Sequence, residues 1–167
     1  NAAVTVTSSV KSGAVNGKGV DAAYFSGSET SKSVNSGAQA TVNLTVQTGT
    51  ALVASTNQVV VEYTVNGTPK SMTHAATASA TQTVAIQETV NANTEIVVTG
   101  VKVQAKVTVA ENSLDTATTT NLSGNATATY NGKNKAAIES EWLDVGSTVA
   151  VVVTVPVVSG NVDTITI

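Results

Sequence analysis

The stretch whose reading decides the fold is Ala2-Ala3-Val4-Thr5-Val6-Thr7-Ser8-Ser9-Val10 at the amino terminus. Successive side chains of a strand point to opposite faces, so Ala2, Val4, Val6, Ser8 and Val10 share one face while Ala3, Thr5, Thr7 and Ser9 share the other. The first face is the apolar one and demands burial. Behind it runs Lys11-Ser12-Gly13-Ala14-Val15-Asn16-Gly17-Lys18-Gly19, where three glycines and a polar filling leave no apolar period. That composition predicts a flexible connector over residues 13–19. Residues 1–12 are therefore a strand on a tether, followed by a head domain over residues 20–167. A tethered strand buries its apolar face either in its own domain or in the sheet of a neighbouring copy, the donor-strand form of β-augmentation. The second outcome is the expected one, with Ala2, Val4, Val6, Ser8 and Val10 as the donor positions.

Outward from this stretch the chain reads as strand after strand. Val20 to Phe25 is a short candidate, and Ser26 to Gly37 is rich in Ser, Gly and Asn and predicts a loop. In Ala40 to Gln47 the apolar Val42, Leu44 and Val46 alternate with Thr41, Asn43, Thr45 and Gln47, a half-buried strand. Val59, Val61, Tyr63 and Val65 form the inner face of the next, and Asn66-Gly67 supplies the positive-φ pair of a tight hairpin. Pro69 places the returning strand late or at a sheet edge. Val84 and Ile86 centre a strand over 80–89, and Glu95 to Val98 leads through Gly100 into Val101 to Val109, where odd positions are apolar and even ones polar. A loop over 111–124 precedes Ala126 to Tyr130. Asn131-Gly132 predicts a second hairpin, and Lys133 to Leu143 reads as a strand or a short helix. Val149 to Val158 is apolar on both faces and reads as a strand buried on both sides, with Pro156 forcing a bulge or an edge at its far end. Val162 to Ile167 closes the chain as a last strand. With roughly eight to eleven short strands and little helix signal, the predicted fold is all-β: an antiparallel Ig-like or jelly-roll-like β-sandwich with an extended amino-terminal donor strand.

At 167 residues the chain is long enough to bury a core without disulfides or metals. It has no cysteine, which removes disulfide frameworks, thiol catalysis and Cys-based metal sites together. Charged residues make up only 11%, and all eight cationic side chains are lysine, so the surface is covered mainly by Thr, Ser and Asn. A net charge of -3 without arginine provides neither the basic footprint nor the bidentate reader that nucleic-acid binding uses, and no nucleic-acid partner is expected. No apolar run reaches the length of a membrane-spanning helix.

Few residues invite catalysis. His74 is the one histidine, and a transition-metal site cannot be assembled around it from this chain. Glu139 and Glu141 lie just before Trp142 and, on a strand, share a face like a crude glycosidase pair. Carboxylates so placed rarely straddle a glycosidic bond, so a solvated acidic edge is the expected reading. Glu111, Asn112 and Asp115 offer oxygens at a spacing that matches no calcium loop. Sugar-binding platforms need exposed aromatics; Tyr130 and Trp142 are the two candidates, and core or rim packing is their expected role. No enzyme activity and no cofactor are expected.

Four tripeptides, beginning at Asn43, Asn66, Asn121 and Asn125, satisfy the N-glycosylation acceptor pattern. They fall on the polar face of a strand, at a turn and in a loop, which suits covalent N-glycans. The tethered strand of Ala2 to Val10, the cysteine-free Thr/Val/Asn-rich sandwich and these sequons together resemble archaeal thread-type surface filaments, whose subunits are linked by donor-strand exchange. Bacterial chaperone-usher pilins and camelysin-type biofilm fibres are similar in layout. The resemblance implies an extracellular, cell-surface, non-enzymatic subunit whose partners are identical copies in a head-to-tail homopolymer. The competing expectation is a self-contained sandwich in which Ala2 to Val10 pairs within its own chain, serving a surface layer, an adhesin or a capsid decoration, with glycan binding as a further role.

Overall fold

The longest strand, twelve residues from Thr94 to Ala105, changes the parity of its apolar positions halfway along, and the fold is built around that change. The computed structural model describes the backbone of residues 3–10, 14–17, 20–26, 30–91, 93–110 and 127–154, with side chains from residue 33 onward. Twelve strands and one short helix occur among these residues. They are β1 (Ala3–Val10), β2 (Ala14–Gly17), β3 (Val20–Ser26), β4 (Thr30–Asn35), β5 (Gln39–Gln47), β6 (Asn57–Val65), β7 (Thr68–Ala75), β8 (Thr81–Thr89), β9 (Thr94–Ala105), β10 (Thr127–Tyr130), α1 (Lys135–Glu139), β11 (Leu143–Asp144) and β12 (Val151–Thr154). The fold is all-β, and its pairings are antiparallel except for β1 with β9.

The chain divides into two compact units, Asn1–Ala105 with Leu143–Ser147, and Lys106–Trp142 with Thr148–Ile167. The alternation of β9 continues in sequence to Val109, but both ladder partners end at Ala105, Asn57 of β6 and Leu143 of β11 pairing with that residue. A strand needs partners for its backbone groups, and past Ala105 these two supply none.

In the first unit one sheet has the order β4-β1-β9-β6-β7, with β11 also on β9, and a second has the order β2-β3-β5-β8. A single cluster of buried side chains draws on both: Leu44, Val46, Val84 and Ile86 from the second sheet, Val59, Val61, Ile96, Val98, Val101 and Val103 from the first. Along β9 the buried positions are Thr94, Ile96 and Val98, then Val101 and Val103. Glu62 pairs with Gly100 but Tyr63 pairs with Val98, so Thr99 is an extra residue in the ladder. This bulge reverses which parity faces the core and lets both halves of β9 bury their apolar side chains.

The first predicted hairpin forms as read. Asn66 and Gly67 have φ of 48° and 80°, the left-handed pair that matches strand twist, and β7, carrying Pro69, is the edge of its sheet. Two elements arise where the composition predicts none. β4 lies within the Ser26 to Gly37 loop and pairs with β1, and β2 lies within the 13–19 connector and pairs with β3 through an irregularity between Val15 and Gly17. Neither has an apolar alternation of its own; each follows the backbone template of an adjacent strand.

In the second unit β10 and β12 form a two-stranded sheet. Asn131 and Gly132, with φ of 49° and 76°, close the other predicted turn, where Tyr130 and Lys133 exchange backbone bonds of 2.7 and 2.9 Å. Of the two readings of Lys133 to Leu143 the helix is the one realised. The Asn134 carboxamide oxygen caps it by accepting from the Ala137 N–H at 2.8 Å, and Ile138 is buried. The prediction that the strand at Val149 to Val158 is buried on both sides is corrected over its described part, where Val151 and Val152 are 57% and 58% exposed. They sit on opposite faces of a ribbon that pairs only with β10 among the described residues, and a two-stranded ribbon has no second layer of its own to cover either face.

Candidate functional site

β1 lies in the interior of the first sheet, between β4 and β9. It runs antiparallel to β4, with six partners from Ala3↔Asn35 to Ser8↔Thr30. On the other side it runs parallel to β9, with five partners from Val6↔Thr94 to Val10↔Val98. Three of the donor positions named from sequence, Val6, Ser8 and Val10, are thereby in register with Thr94, Ile96 and Val98, all buried. Val4 is opposite Val34, a side chain packed against the core cluster. Thr7, on the polar face, is opposite Glu95, which is exposed. Ala2 lies outside the described residues. β1 is the partner of β4 in this sheet, so what fills the slot beside β9 also holds β4 in place.

The other candidates are dispersed. Glu139 ends α1, and its carboxylate accepts the Val109 N–H at 2.7 Å; Glu141 pairs with Lys133. Because α1 replaces the strand reading, the two carboxylates do not line a strand face. Trp142 is half-buried with the Lys106 ammonium 5.0 Å from its ring centroid, and Tyr130 is 6% exposed, so the aromatic pair forms packing rather than an open platform. His74 lies on β7 opposite Val59, and its Nε2 is buried with no hydrogen-bond partner among the described residues. Among the described residues no three His, Asp or Glu side chains gather as metal ligands; Glu111, Asn112 and Asp115 lie outside them. Of the sequons, Asn43 is exposed on β5 and Asn66 is exposed at its turn. The Asn66 side-chain oxygen accepts the Glu95 N–H at 2.8 Å, which leaves the glycan-bearing nitrogen out of that bond. Asn121 and Asn125 lie outside the described residues.

One polar cluster has no counterpart in the sequence reading. Tyr63 on β6 donates its hydroxyl to Glu88 Oε1 at 2.6 Å, and Lys70 on β7 donates to Glu88 Oε2 at 2.7 Å. Two strands of the first sheet thus grip a carboxylate of the second. Burial, then the hydrogen bond to Glu88 and its charge, push the Tyr63 phenol up to about 12. Burial opposes the Glu88 charge, but the hydrogen bonds from Lys70 and Tyr63 and the Lys70 charge outweigh it and hold this carboxyl below its ordinary value. Tyr63 and Lys70 are register partners, a coincidence legible only once β6 and β7 are paired. Asp144 is likewise held low, first by the hydrogen bond from Gln104 and then, against a smaller effect of burial, by Lys102.

No protein-family model matches the sequence, and comparison with curated proteins and with solved structures gives no match.

Proposed function

We propose that this chain is the structural subunit of an extracellular, cell-surface filament, and that it polymerises by inserting β1 between β4 and β9 of the next copy. In this reading the two sheets of the first unit pack as an Ig-like or jelly-roll-like sandwich, and Asn43 and Asn66 carry glycans on the outside. The observation behind it is the interior place of β1. Withdrawing β1 from the middle of its sheet leaves the edges of β4 and β9 facing each other. Identical copies carry identical β1 strands, so every pair with β4 and β9 is available in trans as well as in cis. The contact energies are then equal to first order, and tether strain and subunit concentration decide between them. Each subunit gives one strand and receives one, so the exchanged contact is heterologous and grows as an open fibre.

A second reading is favoured by a specific observation, the pairing of β1 within its own chain. In it the protein is a self-contained module of a surface layer, an adhesin or a capsid decoration, and β1 never leaves its slot. Negative-stain microscopy and light scattering of the purified chain over a range of concentrations separate the two. Fibres that shorten on adding a peptide of residues 1–10, and that do not form from a chain lacking those residues, support exchange. Compact particles at every concentration, unaffected by the peptide, refute it.

A further inference from the structure

The second sheet has one edge that differs from every other edge of the first unit. A strand at a sheet edge presents unpaired backbone groups, and folded proteins blunt it with charge, proline, a bulge or brevity. β7 carries Pro69 and Lys70, β4 carries Lys32, and β2 is four residues long with a register break. β8 has no proline, no bulge and no lysine. It runs nine residues in unbroken register with β5, from Gln39↔Thr89 to Gln47↔Thr81, and among the described residues no strand pairs with its other side. Its one charge, Glu88, is met by Lys70 at 2.7 Å.

The sequence of β8 is also nearly its own mirror. Thr81-Gln82-Thr83-Val84-Ala85-Ile86-Gln87-Glu88-Thr89, laid antiparallel on a second copy about Ala85, pairs Thr81 with Thr89, Gln82 with Glu88, Thr83 with Gln87, Val84 with Ile86, and Ala85 with itself. On the outer face Thr81, Thr83, Ala85, Gln87 and Thr89 are exposed and give Thr–Thr, Thr–Gln and Ala–Ala neighbours, which are favourable cross-strand pairs without like charges. We propose that β8 pairs antiparallel with β8 of a second copy across a two-fold axis at Ala85, joining two four-stranded sheets into one continuous sheet. The contact is isologous and closes on itself, unlike a head-to-tail linkage. It uses no residue of β1 and stands whether or not β1 exchanges; where filaments form, it joins them side by side.

The chain has no cysteine, so a single introduced thiol reports the contact cleanly. In the full-length protein, Ala85→Cys puts two sulfurs on the axis, with Cα atoms about 4.5–5.5 Å apart, within disulfide reach. Asn43→Cys is the control: Asn43 is exposed on the same face but pairs with Ala85 one strand further in, so its two copies lie about 14 Å apart, three strand spacings. Mild oxidation, repeated with a short bis-maleimide in case the ladder geometry opposes a direct S–S bond, is read on a non-reducing denaturing gel. The gel dissolves any non-covalent exchange of β1, so failure of fibre formation and failure of this contact are seen separately. The expected result is a covalent dimer of Ala85→Cys at least tenfold faster than of Asn43→Cys by one or both chemistries. Equal rates for the two variants, or no dimer of Ala85→Cys with either reagent, overturn the proposal.

Discussion

Replacing Tyr63 with Phe removes one oxygen from the protein and should cost more than most core changes of that size. The Tyr63 hydroxyl is 2.6 Å from Glu88 Oε1, the Tyr63 residue is 6% exposed, and the Glu88 side chain is 11% exposed. A buried hydrogen bond to a charged group contributes about 1.5–3 kcal/mol, so Tyr63→Phe should lower unfolding free energy by about 2 kcal/mol at pH 7. Lys70 remains on the other oxygen, but its side chain is 45% exposed, and solvent screening keeps its share below about 1 kcal/mol. In a Glu88→Gln background the same replacement breaks a neutral hydrogen bond and should cost about 1 kcal/mol. The pH dependence fixes the mechanism. Glu88 is held below the ordinary 4.5, so its contribution is complete above that value and is lost as pH falls through its folded-state value. The Tyr63→Phe penalty should therefore shrink on acidification below 4.5. Urea unfolding of the four variants of the cycle, at pH 7 and at successively lower pH, measures all of this. A penalty under about 0.5 kcal/mol at pH 7, or one that stays constant as Glu88 protonates, refutes the clamp.

The Tyr63 phenol, raised to about 12, should give a late phase in an ultraviolet titration, and Tyr63→Phe should delete that phase. A raised phenol stabilises the fold below its ordinary 10.0 and loses this contribution as pH rises through about 12, so the Tyr63→Phe penalty should shrink as pH climbs past 10.0; a titration with no phase above the ordinary value rejects it. Ile96→Ala, at a fully buried position, should cost about 2–5 kcal/mol in denaturant unfolding, whereas Val152→Ala, at a position 58% exposed, should change stability by under about 0.5 kcal/mol. Gly67→Ala forces φ of +80° on a residue with a Cβ and should cost about 1–2 kcal/mol. Gly100→Ala meets the carboxylate end of Glu62 at 3.2 Å and its Cβ at an ordinary 3.8 Å and should cost less than about 1 kcal/mol, the ranking being read from thermal or urea melts.

Local signals carried a large share of the fold because strand alternation and left-handed turns are properties of a few neighbouring residues. Val42, Leu44 and Val46 needed only period two, and the Asn66-Gly67 and Asn131-Gly132 pairs needed only their own φ preferences. The bulge at Thr99 was not read from the sequence, because it shows only in the pairing of Glu62 with Gly100 and Tyr63 with Val98. The clamp was not legible: Tyr63, Lys70 and Glu88 are brought together by the pairing of β6 with β7 and by the approach of β8, and no spacing along the chain encodes that approach.

By itself, then, the sequence determined that this chain is mostly strands, where the Asn66-Gly67 and Asn131-Gly132 turns fall, and which side of β5, β6 and β8 seeks cover. The tertiary structure alone decided which strands became neighbours. It drew β4 and β2 out of loop-like composition by offering them a ladder, ended β9 at Ala105 where its partners stop, left Val151 and Val152 exposed on a two-stranded ribbon, and left β8 paired on one side only among the described residues. The physical reason is that alternation is set by bonds within the strand, whereas pairing and burial are set by backbone groups and side chains contributed from elsewhere in the chain.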